Sequence, residues 1–155
     1  MRVLLYSEGL KTIGKSGLGK AIKHQMKALD EVGVSYTLNP KENYDILHIN
    51  TYFPKSYFFA KKAKKNGKKI VYHAHSTEED YKNGFIFSSI TSKLFKKWLI
   101  KCYSLGDVIV TPTPYSKKLL EGYKGLENKK IYAVSNGIEL DFFKKDKTLR
   151  EKFRK

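Results

Sequence analysis

Six short runs rich in β-branched, aromatic and leucine residues, at 3–6, 34–38, 46–49, 70–73, 108–110 and 131–134, set the strongest limit on how this chain can fold. Runs such as Ile70, Val71 and Tyr72 are apolar at consecutive rather than alternate positions, so both strand faces need cover, as in a parallel sheet packed between helices. Parallel neighbours need long crossovers, and the intervals supply them. Leu18, Ile22, Met26 and Leu29 keep helical spacing, and residues 55–66, 85–104 and 115–123 also suit helices. Gly33 closes the first helix pattern, Pro54 opens the next and Gly67 closes it. The pattern predicts an α/β fold, a Rossmann-like doubly wound parallel sheet.

Charge limits the partners. The chain has 155 residues, with 31 Lys and Arg against 15 Asp and Glu, a formal charge of +16. Such an excess calls for nucleic acid, phosphate or an anionic membrane surface. Nucleic acid is disfavoured, because Arg2, Arg150 and Arg154 are the only arginines and bidentate readers of bases are usually arginine. Cys102 is the only cysteine, which excludes an internal disulfide and a cysteine-cluster zinc site and points to a reducing compartment. No run approaches the roughly 18 apolar residues of a spanning helix, and residues 1–6 are too short for the apolar part of a leader. A cytoplasmic protein is expected. Residues 1–143 are expected to form one domain. Residues 144–155 read as a linker and the truncated start of a further domain, since their charged helical fragment has nothing of its own to pack against.

Residues 14–21 lie between the first strand and the first helix and contain Gly14, Gly17 and Gly19. A helix N-terminus offers unpaired N–H groups and a positive dipole end, and glycine lets an anion approach the backbone. The spacing nearly matches a P-loop, but Ala21 stands where Ser or Thr must hold magnesium. A dinucleotide fingerprint fails at Ile22, its third-glycine position. Asp45 and Asp107 fall at strand beginnings, away from any second metal position. The loop is therefore a metal-free anion cradle or simply a tight turn.

His73 and His75 follow the fourth run, at the carboxyl edge where open α/β sheets bind ligands. Strand alternation turns both to one side. Two imidazoles alone are a weak zinc signal. A His75 that hydrogen-bonds a substrate hydroxyl or phosphate, or two satisfied packing histidines, are the other readings. Glu78, Glu79 and Asp80 suit the positive end of the next helix.

From residue 90 to 105, a helical wheel groups Leu94, Trp98, Cys102 and Leu105 with Phe95 and Leu99, and sets Lys93, Lys96, Lys97 and Lys101 opposite. This is the composition of a helix lying in a bilayer interface, and equally of a surface helix packed on its own sheet. The wide apolar arc and Phe85, Ile86 and Phe87 just upstream favour the membrane reading.

Taken in order, these segments resemble the N-terminal half of the retaining family 4 glycosyltransferases, which have the GT-B fold. Ser16-Gly17 is similar to the second half of that family's Gly-Gly loop. His75-Ser76-Thr77 is similar to its strand-end histidine, continued by Glu79-Asp80-Tyr81 as in bacterial lipid glucosyltransferases. Residues 107–116 and Asn136-Gly137-Ile138-Glu139, with Phe143 beyond, complete the likeness. The resemblance implies a nucleotide-sugar donor, UDP-glucose, held mainly by a C-terminal domain, with no cofactor and no metal. Ser16 and Gly17 would face the donor diphosphate, and His75 would be the catalytic contact to the sugar or acceptor. Glu8, Asp80, Asn136 and Gly137 are further candidate cleft contacts. Transfer with retention is implied, the leaving phosphate helping to deprotonate the acceptor. The expected acceptor is a membrane lipid such as diacylglycerol at the inner face of the cell membrane, with Lys93, Lys96, Lys97, Trp98 and Lys101 binding the membrane. A soluble or cell-wall acceptor, and a non-enzymatic phosphate or nucleic-acid binding module, are the alternatives. Residues 1–155 alone are expected to be inactive.

Overall fold

Each of the six apolar runs becomes a strand: β1 (Arg2–Tyr6), β2 (Ser35–Thr37), β3 (Ile46–Ile49), β4 (Lys69–His73), β5 (Val108–Thr111) and β6 (Lys130–Ala133). In the computed structural model, which describes residues 1–9, 16–82, 88–138, 150, 152 and 153, with side chains 88–90 excepted, they form one sheet. Its order is β2-β1-β3-β4-β5-β6, and every pairing is parallel. The helices are α1 (Gly17–Glu31), α2 (Pro54–Lys65), α3 (Glu78–Lys82), α4 (Ser88–Tyr103) and α5 (Pro114–Glu121). This is the Rossmann-like doubly wound sheet that the sequence predicts. The segment 83–87, with its aromatic cluster, and most of 139–155 lie outside the described residues.

The chain leaves β1 for β2 on one side and later returns to β3 on the other. Right-handed crossovers in opposite directions put α1 on one face of the sheet and α2, α4 and α5 on the other, and the order reverses at β1. The loops after β1 and β3 therefore part at the carboxyl edge, where a ligand crevice belongs.

The two faces are covered unequally. Leu4, Leu47, Ile49, Ile70, Tyr72, Ile109 and Ile131 form the main core with Tyr57, Ala60 and Ala63 of α2, Leu99, Cys102 and Tyr103 of α4, and Leu120 of α5. Each fully buried large side chain contributes about 1.5–3 kcal/mol. On the other face Val3 and Leu5 are buried, as are Ala21 and Ile22 of α1, whereas Ile46, His48, Val71, Val108 and Val110 are only half-buried. The expectation of strands covered on both faces thus holds for β1 and not for β3 to β5. Among the described residues a single helix lies on that side, and it returns to β2 at the far edge.

Local signals fix the ends. Ser16 caps α1, Pro54 stands in the first turn of α2, and Thr113 caps α5 ahead of Pro114. Asp45 accepts from the Arg2 N–H at 2.7 Å and Asp107 from the Ile70 N–H at 2.8 Å, which holds both acids at the amino edge of the sheet. No helix among the described residues is long and apolar enough to cross a membrane.

Candidate functional site

At the carboxyl edge a crevice of about 350 Å³ is lined by Gly17, Asn50, Tyr52, Phe53, His75 and Asn136, among others. They follow four different strands: Gly17 opens α1 after β1, Asn50, Tyr52 and Phe53 follow β3, His75 lies two residues past β4 and Asn136 three past β6. The start of α1 and the strand-end histidine thus share one space, while Gly14 lies outside the described residues. A Cβ built on Gly17 meets none of the described residues within 4 Å, and its φ is not in the left-handed region, so nothing among those residues demands glycine there. Ser16 is the N-cap, its Oγ accepting from the Gly19 N–H at 3.4 Å.

Behind His75 lies a partly buried polar network. Gln25 and Asn50 exchange amide hydrogen bonds at 2.8 and 3.1 Å. Asn50 Oδ1 also meets His75 Nε2 at 3.1 Å, and Gln25 Nε2 meets His73 Nδ1 at 3.0 Å. His48 Nε2 lies 3.2 Å from the same His73 nitrogen. The rings are stacked, with centroids 4.0 Å apart for His73 and His75 and 5.4 Å apart for His48 and His73. An amide nitrogen only donates and an amide oxygen only accepts. His73 Nδ1 is therefore an acceptor, and His75 carries its hydrogen on Nε2, leaving Nδ1 as a lone pair. Burial is the main force on all three rings and pushes their pKa values down, to about 4 for His48, about 2 for His73 and about 4 for His75. Repulsion from neighbouring imidazolium would add to this for His48 and His73. The stack is neutral at physiological pH, and His75 offers an acceptor rather than a positive charge. No group of three or more His, Cys, Asp or Glu suited to a metal occurs among the described residues.

The other sequence candidates lie as follows. The Glu8 carboxylate accepts from the Ser56 N–H at 2.9 Å and from its hydroxyl at 3.2 Å. It caps α2, whose own N-cap residue, Phe53, makes no side-chain cap bond. The Asp80 carboxylate accepts from the Thr77 N–H at 2.8 Å and hydroxyl at 2.9 Å, while Thr77 Oγ1 accepts from the Asp80 N–H at 3.4 Å. That is a capping box at the start of α3. Both carboxylates thus serve helix ends rather than lining the crevice. Asn136 lines it, with its Oδ1 buried and without a partner. Gly137 has φ +78°, a left-handed conformation that favours glycine, and a Cβ there would also press on the His24 ring at 3.1 Å. Asn50, Gln25 and His48 were not singled out from the sequence. Asn50 carries the same signal as His75, a polar residue just past a strand end. Gln25 has none, being a polar residue on a helix like any other.

α4 packs its apolar stripe on the sheet. Leu99, Cys102 and Tyr103 are fully buried, and burial pushes the Cys102 thiol up to about 12. Trp98 turns inward, its Nε1 donating to the Tyr52 carbonyl at 2.7 Å and its ring 5.3 Å from that of Tyr57. Lys96 pairs with Glu78 at 3.0 Å and lies 4.0 Å above the Tyr123 ring. Lys101 lies over the rings of Tyr57 and Trp98 at 5.1 and 5.9 Å. Lys93 and Lys97 are exposed, as is Leu94 at 68%.

A doubly wound parallel sheet whose carboxyl edge joins a glycine-led helix N-terminus to a strand-end histidine has the architecture of one half of a GT-B glycosyltransferase. The family model Glycosyltransferase Family 4 matches residues 25–142, and the chain belongs to that family. It is also 39% identical over 157 residues to the "Processive diacylglycerol alpha-glucosyltransferase" of Acholeplasma laidlawii, a match covering 100% of this chain and 45% of that relative. The chain spans less than half the length of this curated relative.

Proposed function

We propose that this chain is the acceptor-side domain of an enzyme that moves glucose from UDP-glucose to a membrane lipid such as diacylglycerol, with retention of configuration. The observation that carries the reading is the shared crevice of Gly17, His75 and Asn136. The first N–H groups of α1 lack intrahelical partners and face the position of a leaving diphosphate, whose growing charge they would stabilise. His75 Nδ1, a lone pair held in place through Nε2, accepts a hydrogen bond from a hydroxyl of the sugar or acceptor. Every carboxylate that the sequence proposed for the cleft is engaged in a helix cap. A route without a protein nucleophile follows: the bond from the sugar carbon to the diphosphate breaks, the acceptor oxygen bonds to the same face, and its proton passes to the leaving phosphate.

On this reading residues 1–143 are the acceptor side and residues 144–155 lead into a donor-binding domain. The protein works at the inner face of the cell membrane, with Lys93, Lys97, Lys101 and the exposed Leu94 turned to anionic lipid. Lys96 and Trp98 support the helix from within.

The test is a transfer assay on the polypeptide that contains this chain, with UDP-glucose and diacylglycerol in anionic vesicles. A glucosyl lipid of α configuration is expected, reduced at least about 100-fold in His75→Ala. No product from residues 1–155 alone is expected. Full activity in His75→Ala, or turnover on soluble sugars but not on lipid, would overturn the assignment.

A further inference from the structure

Asn136 divides the crevice from a second cavity. This one, about 390 Å³, lies between α1 and the segment leaving β6, with His24, Gln25, His48, His73, Val134 and Asn136 in its walls. It falls within the roughly 300–1,000 Å³ of small-molecule sites. Nothing in the transfer reaction described above uses it.

Two of its lining residues carry buried polar atoms with no hydrogen-bond partner, His73 Nε2 and Asn136 Oδ1. His73 is only 4% exposed. The network fixes what each orphan is. Since His73 Nδ1 must accept from the Gln25 amide, the ring hydrogen lies on Nε2, and the unpaired atom is a donor. The Asn136 oxygen is an acceptor. Buried polar groups are seldom left unpaired, because each carries its full desolvation cost. A group that answers both must accept one hydrogen bond and donate another, as a hydroxyl or a water does, and a polyol does so while also meeting the apolar walls.

The walls also discriminate by charge. His48 and His73 are held neutral by burial. Lys27 and Glu31, one turn apart on α1, offset each other at the rim. A phosphate or carboxylate would lose its hydration here without gaining a net countercharge. Val110, Val134 and Ile138 supply apolar surface of the kind that meets the C–H faces of a sugar or glycerol.

We propose that this cavity is a second binding site, for a neutral polyhydroxyl group of glycerol or hexose size, held by His73 Nε2 and Asn136 Oδ1. It goes beyond the transfer reading, and its test needs no reaction. The chain is labelled with ¹⁵N-histidine and titrated with glycerol, methyl α-glucoside and inorganic phosphate while the His73 Nε2–H signal is followed. A saturable shift with glycerol or with methyl α-glucoside is expected, the responding arm naming the source, with none from phosphate. Ala28→Trp, at an exposed position on the cavity rim, is expected to weaken that response at least about tenfold while the His75 signals stay in place. A His73 signal indifferent to both polyols shows that water alone fills the cavity and overturns the proposal. So does an undiminished response in Ala28→Trp, or a stronger response to phosphate. Failure of the His75→Ala transfer assay would leave this titration untouched, so the two readings fail separately.

Discussion

Gly17→Ala separates what the fold needs from what a ligand needs. The added methyl meets none of the described residues within 4 Å, and the backbone is already in a region open to any residue. Replacing a glycine under those conditions stabilises a chain by about 0.4–1 kcal/mol, because the unfolded state loses freedom. For a chain of this size that raises the melting temperature by roughly 1–4 °C. On the proposed reading the same methyl would crowd a diphosphate resting on the first N–H groups of α1. Losing one charge-assisted hydrogen bond there costs about 1.5–3 kcal/mol, or roughly 10- to 150-fold in donor affinity. Thermal unfolding of the chain is to be set beside the KM for UDP-glucose of the polypeptide that contains it. The expected outcome is opposite signs, a more stable protein that uses its donor less well. An unchanged KM would refute the cradle. A lower melting temperature would show that Gly17 serves a turn that the geometry does not reveal.

Three further outcomes follow from the same geometry. The histidine pKa values are depressed in the folded state, so the unfolded chain takes up protons first on acidification; stability is fully present above about pH 6.5 and falls as the pH drops, to about pH 4 for His48 and His75 and about pH 2 for His73, each ring adding a slope of up to about 1.4 kcal/mol per pH unit. A melting temperature unchanged between pH 7 and pH 5 would contradict the neutral stack. Glu8→Ala removes the cap of α2 and should cost about 0.5–2 kcal/mol by thermal unfolding, with KM for the donor unaffected; lost turnover at unchanged stability would instead make Glu8 a cleft residue. Lys93→Glu with Lys97→Glu should weaken sedimentation with anionic vesicles by at least about 2 kcal/mol, roughly 30-fold, and leave neutral vesicles unaffected, whereas equal binding by the variant rules out this face as the membrane contact.

The strands were legible because each run is short, apolar and closed by Gly, Pro or a polar cluster, so periodicity and punctuation agree. His75 was legible for a topological reason, since a polar residue just past a buried parallel strand has the carboxyl edge to face. The tertiary part was not. Glu8 reads as a free carboxylate until β1 and α2 are neighbours, when it becomes the cap that Phe53 cannot provide. The apolar arc of α4 was correctly drawn on the wheel, yet the wheel does not say which end of the arc lies over the sheet. Leu99 and Cys102 are fully buried while Leu94, on the same stripe, faces solvent.

The distribution of charge carries a consequence for donor binding. The chain has a formal charge of +16, yet none of the described residues lining the crevice is charged, and His75 is neutral there. Among the described residues of the crevice, the fixed positive charge available to a diphosphate is the end of α1, equivalent to about half an elementary charge. That is too little to hold a nucleotide diphosphate tightly against its hydration. On the proposed reading this domain would orient the leaving phosphate, and the bulk of the donor's binding energy would come from groups outside the crevice. The lysines answer to something else. Those of α2 and α4 lie mostly on outward faces, an arrangement that suits an extended anionic surface better than a single small ligand. UDP should therefore bind residues 1–155 only weakly and with little salt dependence, whereas adhesion to anionic vesicles should fall steeply with added salt. Titration calorimetry and vesicle sedimentation over the same salt range would reveal that contrast, and tight, salt-sensitive UDP binding by these residues alone would defeat it.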